Sequence, residues 1–216
     1  MAEEGTRSEE MEDICRGLYP VVNGQNLQVT KSESAAEASV LTLGGTNPGL
    51  YTGNFTHIYV TVPRFWEFKM DRVELADGRG TFCKRRCNII VDSETTLILG
   101  PMKANELNRM LGGKLMLGVL GVCHFPCSLV PGLPDVNCII NGTKLRLTSR
   151  QYTLQIGDVC LSAFRGAMNS RKMPSSWILG SMFMRTYYTM FDRGNFRIGL
   201  ARAKHLEDDY YRNPHA

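Results

Sequence analysis

Short runs of alternating apolar and polar residues, each closed by a turn signal, run through most of this chain and leave little room for helix. Val40-Leu41-Thr42-Leu43 stops at Gly44-Gly45, a strand followed by a turn. Ile58, Val60 and Val62 alternate with Tyr59 and Thr61, the period of a half-buried strand. Residues 65–75 alternate again, with Trp66, Phe68 and Met70 on one face and Val73 and Leu75 after a slip of phase. The apolar run Asn88-Ile89-Ile90-Val91 reads as a strand buried on both faces. Asp135 to Leu147 is a hairpin whose turn is Asn141-Gly142, because both central residues of such a turn must take positive φ. Residues 152–156 form a further strand, and residues 186–191 and 196–200 flank a turn at Asp192-Arg193-Gly194-Asn195. Helical spacing is confined to residues 104–111, ending at Gly112-Gly113, and to one turn at Met182 to Arg185. The pattern specifies an all-β sandwich or barrel with one or two short helices.

Composition narrows the function classes. Hydrophobic residues make up 43% and charged residues 21% of the 216, which calls for a packed core. The net charge of +4 is mild and the basic residues are scattered. Their one tight cluster, Lys84-Arg85-Arg86, reads as a solvated loop tip, so no nucleic-acid partner is indicated. No apolar run approaches the ~18 residues that span a bilayer, so no membrane partner is indicated. Residues 1–16 are acidic and read as a disordered tail. They lack the basic start and apolar stretch of a secretory leader.

The segment that carries chemistry is Asn88-Ile-Ile-Val-Asp92-Ser93-Glu94-Thr95-Thr96. A buried strand delivers an acid into a hydroxyl-rich turn, and hydroxyls there can fix a carboxylate's orientation. Read from the residues alone, an ordinary strand-to-turn Asp remains an equal reading. Trp177-Ile178-Leu179-Gly180 is two hydrophobes and a glycine, and the missing Cβ lets another backbone pass closely. Seven cysteines leave at least one unpaired within the chain: Cys15, Cys83, Cys87, Cys123, Cys127, Cys138 and Cys160. Cys83/Cys87 and Cys123/Cys127 have spacings that a structural zinc site can use, although Lys84-Arg85-Arg86 fills the first loop. Disulfides are the stronger reading. Asn54-Phe55-Thr56 and Asn141-Gly142-Thr143 make Asn54 and Asn141 candidate glycosylation sites. His57 and His124 lack catalytic partners in the pattern, and Trp66 and Trp177 read as core anchors.

Taken together, these segments resemble the pepsin-like aspartic proteases, the group of cathepsin D, pepsin and renin, over about residues 17–203. Leu18-Tyr-Pro-Val-Val-Asn23 resembles the family's interlobe segment. Leu43-Gly-Gly45 with Tyr51-Thr-Gly-Asn-Phe55 resembles the opening of its C-terminal lobe, and Trp66 to Asp71 the next strand. Trp177-Ile-Leu-Gly180, Phe191-Asp-Arg193 and Ile198-Gly199 resemble its closing signature. The resemblance implies a single lobe of a double-β-barrel fold, with residues 40–204 as the lobe, 17–39 as an interlobe remnant and linker, and 205–216 as a tail. It implies that Asp92 is a catalytic aspartate, supported by Ser93, Glu94, Thr95, Ile178, Leu179 and Gly180. It implies disulfides Cys83–Cys87 and Cys127–Cys160, no metal and no cofactor, and a peptide or protein substrate in a secreted or lysosomal setting. Cys123 and Cys138 have no counterpart in the family pattern and are close enough in sequence to pair.

The chain departs from the family in three places. The family uses two Asp-Thr/Ser-Gly turns, and this sequence holds one. The Gly of that turn is Glu94, a replacement expected to strain the backbone by about 1–3 kcal/mol and to place a second carboxylate beside Asp92. Ser181 stands where the family has Asp. Three expectations follow: a homodimer joining two copies of Asp92, a non-catalytic lobe that binds a peptide or partner, or a partial product of a longer protease with impaired hydrolysis.

Overall fold

The computed structural model describes residues 27–30, 40–62, 65–101, 104–116, 121–166 and 176–204. The acidic tail, residues 17–26 and 31–39 of the expected interlobe remnant and linker, and the C-terminal tail therefore lie outside the described residues, while residues 27–30 of that stretch form a strand. In chain order the first strands are β1 (Leu27–Thr30), β2 (Val40–Leu43), β3 (Tyr51–Tyr59), β4 (Glu67–Met70), β5 (Arg72–Leu75), β6 (Thr81–Phe82), β7 (Cys87–Val91) and β8 (Ile98–Gly100). Helix α1 (Ala104–Met110) precedes β9 (Lys114–Leu115), β10 (Cys123–Pro126), β11 (Val136–Ile140), β12 (Thr143–Leu147), β13 (Thr153–Ile156), β14 (Val159–Ser162), β15 (Phe164–Gly166) and β16 (Trp177–Leu179). Helix α2 (Ser181–Thr186), β17 (Tyr187–Asp192) and β18 (Arg197–Ala203) close the chain.

The described residues fall into two compact units, one within Val60–Phe183 and the other within Val21–Tyr59 and Met184–Ala216. The second unit is one antiparallel sheet, in the order β2-β1-β17-β18-β3. Its middle strand, β17, is buried at all six residues, so Tyr187, Tyr188 and Phe191 are interior rather than edge residues. Tyr51 stacks against Phe55 and Tyr188, with ring centroids 4.6 and 5.0 Å apart. The strand expected at residues 58–62 instead starts at Tyr51 and stops at Tyr59, because its pairing with β18 runs from Tyr59↔Arg197 to Tyr51↔Ala203. His57 is exposed on β3, as the sequence suggested.

The first unit holds three sheets, in the orders β13-β14-β10-β9, β12-β11-β5-β6 and β15-β8-β16-β7-β4. Phe68, Val73, Ile89, Ile98, Leu107 and Val136 are fully buried and form its core. The slip of phase in residues 65–75 is a break between β4 and β5 at Asp71, whose Oδ2 accepts the Gly142 N–H at 2.9 Å. The β11–β12 hairpin has the expected turn, with φ of 48° at Asn141 and 74° at Gly142. Trp177 is a core anchor at 1% exposure, but Trp66 is only half-buried.

Among the described residues two disulfides are present, Cys83–Cys87 and Cys127–Cys160. The expected Cys123–Cys138 bond is not. Both thiols are free and buried, Cys123 on β10 and Cys138 on β11. Burial pushes the Cys138 thiol up to about 12, so it behaves as a small core hydrophobe. The Cys127–Cys160 bond closes a 33-residue separation. Replacing both cysteines with serine should cost about 4 kcal/mol by the loop-entropy argument, seen as a lower denaturant midpoint with a steeper slope, because the unfolded chain released from the cross-link expands.

Candidate active site

The site is built where three strands meet. β16 lies parallel to β7, with Trp177↔Ile89, Ile178↔Ile90 and Leu179↔Val91, and antiparallel to β8, with Ile178↔Leu99 and Leu179↔Ile98. The turn of residues 92–97 leaves β7 and returns as β8, so β16 sits between the two arms of that turn. β7 is apolar and buried at Ile89, Ile90 and Val91, and it delivers Asp92 at its end. The Asp92 N–H donates to the Leu179 carbonyl at 3.1 Å, which ties the start of the turn to β16.

Each carboxylate oxygen of Asp92 has a donor. The Glu94 backbone N–H donates to Oδ1 at 3.0 Å, and the Thr95 hydroxyl donates to Oδ2 at 2.6 Å. The two bonds fix the plane of the carboxylate. Asp92 is half-buried. The Thr95 part of the expected support is thus direct, while Glu94 contributes through its backbone and keeps its side chain exposed. Ser93 is half-buried in the same turn, and Ile178 stands in β16 between Ile90 and Leu99.

Gly180 follows β16 where the turn crosses it. A Cβ there would lie 2.2 Å from the Thr95 carbonyl oxygen and 2.4 Å from that of Leu97. Only glycine admits this approach. The next two N–H groups then bind the turn: Ser181 N–H donates to Thr95 O at 2.7 Å and Met182 N–H to Thr96 O at 2.9 Å. The first amides of a helix have no partner within it, and here α2 spends two of them holding the carbonyls behind Asp92. The Ser181 hydroxyl adds a bond to Thr96 O at 3.3 Å. Sequence reasoning noted Ser181 only as a departure and did not find Thr96 or Leu97. Their contributions are backbone carbonyls, and side-chain identity carries no signal for those.

The strain expected at Glu94 is absent. The non-glycine residues with positive φ among those described are Cys83, Arg86, Asn141 and Phe196. The turn therefore accepts the Glu94 Cβ in an ordinary backbone conformation. The Cys83–Cys87 disulfide closes the loop that enters β7. Asn54 and Asn141 are both exposed. No group of three or more metal-ligating side chains occurs among the described residues, and His124 is half-buried on β10.

The family description "Eukaryotic aspartyl protease" matches residues 22–203. The chain belongs to the eukaryotic aspartyl protease family. It is 36% identical to cathepsin D of Gallus gallus over 179 residues, 81% of this chain and 44% of that protein. It is 34% identical to human cathepsin D over 183 residues, 82% of this chain and 44% of the relative. Pepsin A of Sus scrofa is 34% identical over 182 residues, 84% of this chain and 46% of the relative. The chain thus spans less than half the length of these aspartyl proteases. No described helix is long and apolar enough to cross a membrane.

Proposed function

We propose that this chain is one lobe of an aspartic endopeptidase and that Asp92 supplies half of its carboxylate dyad. The strongest support is the Asp92 carboxylate itself, half-buried at the end of a buried strand with each oxygen held by one donor. In such a dyad two carboxylates share a proton and hold a water. One takes the water's proton as the water attacks the peptide carbonyl, and the other donates toward the carbonyl oxygen. Two adjacent like charges cannot both ionise, so the dyad titrates as a pair. The 216 residues hold no second turn of this kind, so the second carboxylate comes from another lobe, and hydrolysis by the chain alone is impaired. The substrate is a peptide or protein. An acid-pH peptidase assay with an Asp92→Asn control tests the assignment: cleavage by an assembled site should fall to background in the variant.

Glu94 favours a second reading, in which the lobe binds a peptide or protein partner without cleaving it. Its exposed side chain follows Asp92 by two residues, at the position where the family pattern has glycine. Glu94→Gly separates the readings. For a lobe of a working dyad, the change raises kcat of the assembled site. For a binding lobe it changes partner affinity and yields no cleavage.

A further inference from the structure

The β11–β12 hairpin carries a site that proteolysis does not use. Asn141-Gly142-Thr143 forms its tip, with Asn141 and Gly142 exposed and Thr143 half-buried. The turn is held through its backbone. Gly142 N–H donates to Asp71 Oδ2 at 2.9 Å, and Asp71 Oδ1 pairs with Arg86 Nε at 3.2 Å. Ile140 and Thr143 pair in register across the strands. None of this recruits the acceptor side chains. Among the described residues neither the Asn141 amide nor the Thr143 hydroxyl makes a hydrogen bond. Asn141 is thus an exposed carboxamide on a rigid turn, two residues before a hydroxyl. A bulky substituent there displaces no packed group.

A second observation bears on the compartment. Cys127–Cys160 and Cys83–Cys87 are both bonded, and such bonds persist mainly in chains matured in an oxidising compartment. Asn-X-Ser/Thr glycosylation is a modification of secreted proteins that pass through that compartment. We propose that Asn141 is an acceptor for an N-linked glycan, with an oligosaccharide on a lipid pyrophosphate as the donor. In the transfer the Asn141 Nδ2 bonds to the sugar's anomeric carbon, the bond from that carbon to the pyrophosphate oxygen breaks, and one amide proton is released. The Thr143 hydroxyl makes the acceptor recognisable to the transferring enzyme. The hairpin tip then carries the sugar outward, away from β11, which is buried at all five residues.

The full chain, produced behind a secretion leader in animal cells, tests the assignment in an Asn54→Gln background that removes the other acceptor sequence. Peptide mapping after enzymatic glycan release in oxygen-labelled water should show Asn141 converted to labelled aspartate, which spontaneous Asn-Gly deamidation before the release step does not give, with one release-dependent step in gel mobility. Thr143→Ala should abolish both signals, and Thr143→Ser should restore them. Mapping the membrane-enclosed intracellular pool as well as the secreted pool keeps the test informative if a variant is retained. An unmodified Asn141 peptide in both pools, or a glycan that survives Thr143→Ala, overturns the proposal.

Discussion

Gly180→Ala is expected to cost about 4 kcal/mol or more and to leave much of the chain unfolded, a loss at the extreme of single substitutions. The added methyl would stand 2.2 Å from Thr95 O and 2.4 Å from Leu97 O. Both are backbone atoms, so no side-chain rotamer relieves the clash. Relief requires the turn or β16 to move, and the bonds from Ser181 N–H and Met182 N–H to the same turn oppose that movement. A denaturant titration checks this. Any folded residue of the variant should also show faster amide exchange at Asp92, whose N–H is bonded to Leu179 O. Wild-type stability in Gly180→Ala would mean that β16 does not thread this closely.

The second large effect is expected at Asp192. Asp192 is 2% exposed, and its carboxylate accepts from the Asn195 backbone N–H, the Asn195 side chain and Arg197 Nε, the last at 2.6 Å. Burial alone would raise its pKa. The bonds from Asn195 and Arg197 outweigh burial and hold it below the usual carboxylate range. A depressed folded-state pKa stabilises the fold above the unfolded value, and that stability is lost as pH falls through the folded one. The chain should therefore lose stability below about pH 4, over a range where peptide-like Asp protonates. Asp192→Ala should cost about 3 kcal/mol at neutral pH, since it strands the half-buried Arg197 without its partner. In Asp192→Asn the acid-dependent part of the loss should be smaller than in the wild type. An unchanged acid limb in the variant would assign that limb to other carboxylates.

The fold was legible in the sequence wherever a local rule decides an element. The Asn141-Gly142 turn demands positive φ, and α1 stops at the glycine pair that follows it. The run before Asp92 is too apolar for anything but a buried strand. Elements set by tertiary contacts were less legible. The break at Asp71 is fixed by a bond to a turn about seventy residues away, and α2 begins where the carbonyls of residues 95 and 96 accept its first amides. Nothing local to Asp71 or Ser181 encodes these partners. The same limit explains Cys123 and Cys138. Proximity in sequence made a bond between them a candidate, but both thiols are free and buried. At the site, Asp92, Thr95 and Gly180 were readable because their side chains, or the lack of one, make the contacts. Glu94 was misread as strained because the family pattern was taken to require a glycine conformation there, and the backbone adopts none.

The most direct test of the account is an acid-pH peptidase assay on the size-separated chain, alone and mixed with a separately produced lobe that carries its own catalytic Asp turn. The chain alone should cleave nothing. The assembled pair should cleave a broad protein substrate, and Asp92→Asn in this chain should abolish that cleavage. Cleavage that survives Asp92→Asn, or a stably assembled pair that cleaves nothing, would contradict the assignment of Asp92 as half of a working dyad.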